Sequence, residues 1–179
     1  MTQFNIATET HFLREGLSQL KDYLLSDEIF WNVGGSQQLT LGNLLLAKEF
    51  LDGVGKLPAA DAKEMAALKK EWRAAWEKKA EKEFGARLRQ WTNYLSELGE
   101  QPTQHGSYYA TEARVRTLLE LLAGEAPALR GQLAAFDSQL KALTMAGDFV
   151  WGAEAEAAFP KSKYWFLWAK LKQAADERG

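Results

Sequence analysis

From Pro58 to Leu98 the chain runs without another proline, and its apolar residues keep a helical spacing throughout. As one α-helix this stretch would be ~60 Å long at ~1.5 Å per residue. The apolar positions are Met65, Leu68, Trp72, Trp76, Ala80, Phe84, Leu88, Trp91, Leu95 and Leu98, and the middle steps are all of four residues. A step of four overshoots a turn by ~40°, so the stripe rotates by ~160° between Trp72 and Leu88. A heptad coiled coil alternates steps of three and four, so this stretch is not a single coiled-coil seam. It either buries opposite faces at its two ends or breaks near Gly85. The expectation is one long, bent helix, about 58–98, whose first half projects.

The rest of the chain also reads as helix. Leu13, Leu17, Leu20 and Leu24 line one face of a first helix, Thr8 to Leu25, with Glu9 favouring its start. Thr40 has the chemistry of an N-cap for a second helix, ended by Gly53 and Gly55. Gly99 to Gly106 reads as a loop, after which Ser107 or Thr111 caps a helix that Gly124 ends. Pro127 opens another, with the stripe Leu129, Leu133, Phe136, Leu140 and Leu143, ended by Gly147. A short helical turn at Glu154–Ala158 precedes a last helix from Pro160 to about Ala175. That helix contains Tyr164, Trp165, Phe166, Leu167 and Trp168, apolar on every side, so it should be wedged in the core near Trp151 and Phe159. Period-two alternation is scarce; Ile29–Trp31 and Phe149–Trp151 are the strand candidates. The fold class is all-α: a single domain, 1–179, an irregular tryptophan-rich bundle of about six helices.

Composition excludes several chemistries. Cysteine is absent, which removes disulfides, thiolate metal sites and a cysteine nucleophile. With a formal charge of −2 the chain is not globally basic. Both histidines, His11 and His105, lack a Glu three residues before them, so the Glu-x-x-His pairs of a carboxylate-bridged metal bundle are missing. No metal or cofactor is expected. Gly53-Val54-Gly55-Lys56-Leu57 lacks the leading glycine and the Ser or Thr of a phosphate-binding loop. The opening residues show neither the basic nor the apolar part of a signal peptide, and no apolar run is long enough to span a bilayer; a cytoplasmic protein without membrane contact is expected.

Three segments could carry function. The first is His105, Ser107, Tyr108 and Tyr109, with Arg114 behind them. Histidine moves protons near neutral pH, tyrosine donates to a developing anion, and a helix start adds positive potential. The second is Asn32-Val33-Gly34-Gly35-Ser36, where paired glycines can shape an anion-binding concavity. The third is Lys63–Arg89, nine basic against five acidic residues, with Trp72 and Trp76 available for a partner protein or for stacking on bases. The favoured expectation is a non-catalytic helical interaction or scaffold protein, self-associating or bound to a partner protein. The alternatives are a small-molecule or enzymatic bundle using the His105 loop, and a nucleic-acid accessory protein using the basic arm.

Overall fold

The computed structural model describes residues 3–172. Among them are seven α-helices and one two-stranded sheet, which makes the chain an all-α irregular bundle. Helix α1 (Ile6–Leu25) starts where the Asn5 side chain accepts the Thr8 N–H at 3.0 Å, two residues before the expected Thr8. Helix α2 (Leu41–Gly53) is capped by Thr40, as its sequence predicts, and ends in a turn where Gly55 takes φ +70°. The two helices approach closely at Gly16, where a Cβ would lie 2.7 Å from Leu44 Cδ1.

The proline-free stretch forms two helices, α3 (Ala59–Glu71) and α4 (Arg73–Glu100), which change direction at Trp72. The single long helix expected over 58–98 is thus two helices, and Gly85, the alternative break point, lies inside α4. The rotating stripe explains the bend. Helix α3 buries Met65, and its Asp61 takes a bond from Arg14 of α1 at 3.1 Å. Helix α4 buries Trp76, Ala80, Phe84, Trp91, Leu95 and Leu98 and packs along α6. Turning at Trp72 keeps both apolar faces inward, so the first half packs on α1 and does not project.

The expected loop Gly99–Gly106 is largely helical. After α4 comes a single turn, α5 (Pro102–His105), then a 3₁₀ turn (Gly106–Tyr108) that runs directly into α6 (Tyr109–Glu125). Neither Ser107 nor Thr111 caps α6, because the preceding turns supply carbonyls to its first N–H groups. The helix expected from Pro127 is a 3₁₀ segment (Pro127–Leu133) followed by α7 (Ala134–Leu143).

The C-terminal helix is corrected. Ala153–Ala158 and Trp165–Trp168 are 3₁₀ turns, and Ala169–Leu171 is strand β2. It pairs antiparallel with β1 (Thr144–Ala146), Met145 facing Lys170. The part of the expected helix past residue 172 lies outside the described residues. Five consecutive aromatic or aliphatic side chains cannot all turn inward from one α-helix, whereas a tight turn followed by a strand buries Tyr164, Phe166 and Leu167 completely. The predicted plug is therefore present: Phe159 stands 5.2 Å from Trp151 and 5.1 Å from Tyr164, ring to ring. Of the strand candidates, only Trp31 pairs, through a single bridge to Leu39.

Candidate functional site

The residues around His105 do not converge. His105 Nδ1 is 3.7 Å from Glu97, and its carbonyl accepts from Tyr94. Ser107 is exposed, and Tyr108 is 57% exposed. Tyr109 points the other way, into the core, where its hydroxyl donates to the Phe166 carbonyl at 2.6 Å. Arg114, more than a turn further along α6, lines a different cleft.

The basic arm is partly consumed by the chain itself. Five of its nine cations have partners: Lys69 with Glu125, Arg73 with Glu77, Arg87 with Glu83, Lys82 with the Asp27 carbonyl, and Lys79 with the Ser26 and Glu28 carbonyls. Lys79 is buried and ties α4 to the end of α1; burial pushes its pKa down. Trp76 is only 1% exposed, and its indole donates to Glu125 at 2.8 Å, so it offers no contact surface. Trp72 is half-buried under the Lys21 ammonium.

Two of the sequence candidates do meet. Arg114 and the segment after the glycine pair, Ser36–Gln38, line one cleft of about 400 Å³, together with Phe30, Asn43, Arg87, Gln90 and Glu112. Gly34 and Gly35 take φ +79° and +99°, which lets the chain reverse between Trp31 and Leu39 and brings Ser36–Gln38 to the cleft.

Beneath the cleft lies Glu83, 0% exposed. One carboxylate oxygen accepts the Gly42 N–H at 2.8 Å, in the first turn of α2, and the other accepts from Arg87 Nε at 3.3 Å. The carboxylate thus meets the positive end of α2 and fixes Arg87 at the cleft wall. Asn43 is oriented in the same way: its amide donates to the Gln38 carbonyl at 2.9 Å, which leaves its oxygen to accept from Arg114 at 3.0 Å.

Arg114 is the unbalanced member. Its bonded partner is a neutral amide, and among the described residues no carboxylate lies within salt-bridge distance of it. Burial pushes its pKa down, nearby Glu9 partly offsets this, and Arg87 repels it. Glu112, which also lines the cleft from α6, has its pKa raised by burial and by Glu97.

A second cavity, about 340 Å³ between α2, α3 and α6, has the opposite character. Glu49 pairs with Lys163 and Tyr164, Glu120 with Arg116 and Arg130, Glu125 with Lys69, and Lys48 with Asp52. Its charges are balanced within the chain.

Glu83, Arg87, Gly42 and Asn43 were not singled out from the sequence. A signal for two of them was present: Glu83 stands seven residues after Trp76 and Arg87 seven after Ala80, which puts charge on the buried stripe of α4. Among the described residues no cluster of three or more His, Asp or Glu is placed to hold a metal, and no helix is long and apolar enough to cross a membrane. Comparison with protein-family models, curated proteins and solved structures finds no match to this chain.

Proposed function

We propose that this chain is a non-catalytic helical binding module whose small ligand places an anionic group between Arg87 and Arg114. The observation that carries the reading is the Arg114 guanidinium, held by a neutral amide in a polar cleft beside a second cation. Separating a guanidinium from bulk water is costly, Glu9 offsets that cost only in part, and an anion shared by two guanidiniums offsets it further with bidentate geometry. The remaining lining groups are amides, hydroxyls, one carboxylate and the apolar Phe30, Val115 and Leu118, a mixture suited to recognition. This reading takes the small ligand from the alternative expectation, without its catalysis, and seats it in this cleft in place of the His105 loop; it replaces the favoured expectation of a protein-interaction module using Trp72 and Trp76.

Isothermal titration with inorganic phosphate at low ionic strength tests the reading. The wild-type chain should bind phosphate saturably, and Arg114→Gln should weaken binding at least ~10-fold while leaving the circular dichroism spectrum unchanged. No binding by the wild type, or equal binding by a folded Arg114→Gln variant, overturns it.

A further inference from the structure

Within that reading, we infer that the ligand is a nucleoside monophosphate: phosphate between Arg87 and Arg114, ribose against Glu112, and base on the ring of Phe30. The inference rests on the anion-binding reading and adds three observations. Phe30 is a large aromatic side chain left 46% exposed at the rim of the cleft. The Arg87 guanidinium lies 5.3 Å from its ring centroid, so the ring is oriented by the same residue that would hold the phosphate. A base has a π-face that stacks on such a ring whatever its sequence identity.

Helix α6, which carries Arg114, also supplies Glu112 to the lining, a carboxylate with no salt-bridge partner among the described residues. An inorganic anion gains nothing from it, whereas two vicinal hydroxyls donate to a carboxylate readily. Gln38 and Gln90 add side-chain amides at the rim, each able both to donate to and to accept from a base edge. The cleft volume, about 400 Å³, falls in the range of small-ligand sites. Anion, hydroxyls and planar ring are thus each matched by a group in one cleft.

Titration calorimetry with inorganic phosphate, adenosine monophosphate, uridine monophosphate and adenosine separates this inference from the reading beneath it. The wild-type chain should bind both nucleotides at least ~10-fold more tightly than phosphate, and adenosine weakly. Phe30→Leu, which keeps apolar bulk at an exposed position, should lose that gain while retaining phosphate affinity. Glu112→Gln should reduce nucleotide affinity and leave phosphate binding equal or stronger. If phosphate binds and the nucleotides bind no more tightly, or if Phe30→Leu binds nucleotides like the wild type, the nucleotide inference is overturned and the anion site stands. If neither phosphate nor nucleotide binds, both fall.

Discussion

Glu83 and Gly42 touch through a carboxylate and a backbone N–H 2.8 Å apart, at a point closed to solvent. The contact depends on glycine: a Cβ on residue 42 would lie 2.7 Å from the Glu83 carboxylate oxygen and 3.3 Å from Leu118. Because the same carboxylate holds Arg87, the first turn of α2 is linked to the wall of the cleft through one buried charge. Gly42→Ala should therefore lower stability by ~1–3 kcal/mol in urea denaturation, the cost of leaving a buried polar group imperfectly paired. It should also weaken phosphate binding. A variant as stable as the wild type would show that Glu83 shifts freely and does not position Arg87.

Removing residues from Phe159 onward should abolish cooperative folding. Phe159, Tyr164, Phe166 and Leu167 are completely buried, and at ~1.5–3 kcal/mol each their burial is worth ~6–12 kcal/mol before entropy, as large as the ~5–15 kcal/mol net stability of a whole domain. Thermal melting followed by circular dichroism checks this; a cooperative transition near the full-length midpoint would make the segment an appendage and not part of the core.

A subtler test of the same region is Tyr109→Phe. It removes the hydroxyl that donates to Phe166 and leaves that buried carbonyl short of a partner. The expected loss is ~1–3 kcal/mol in urea, with the circular dichroism spectrum unchanged.

Much of this architecture could be read directly from residue spacing. The buried face of α1, the Thr40 cap and the aromatic plug follow from periodicity and cap chemistry, which act locally. What escaped were features decided by packing between distant segments. The bend at Trp72 depends on α3 and α4 finding different neighbours. The strand at Ala169–Leu171 depends on a partner about 25 residues earlier, and β pairing is governed more by context than by propensity. The cleft escaped for the same reason: Arg114 stood out by proximity to His105 in sequence, whereas its bonded partner, Asn43, and its neighbouring cation, Arg87, come from two other helices.

Glu9 gives a pH signature. It is buried on α1, and burial raises its pKa above the ordinary 4.5, with Arg114 pulling part of the way back. The folded state therefore holds this proton more tightly than the unfolded chain. Its contribution is fully present below the ordinary carboxylate range and is lost as pH rises through the raised value. Glu120 acts in the other direction: burial pushes its pKa up, but bonds from Arg130 and Arg116 outweigh this and lower it. Comparing wild type with Glu9→Gln isolates the first effect. The stability of Glu9→Gln relative to wild type, from urea denaturation at several pH values, should rise between about pH 4 and pH 7. A difference independent of pH would contradict it.

The most direct measurement of the central claim is the set of arginine Nε–Hε NMR signals of the full chain during titration with inorganic phosphate. The Arg87 and Arg114 signals, assigned by Arg87→Lys and Arg114→Lys, should shift together and saturate with one dissociation constant. Those of Arg14, Arg73 and Arg116, paired with Asp61, Glu77 and Asp137, should stay in place. A uniform, non-saturating drift of all the arginines, or shifts confined to residues outside the cleft, would contradict the account.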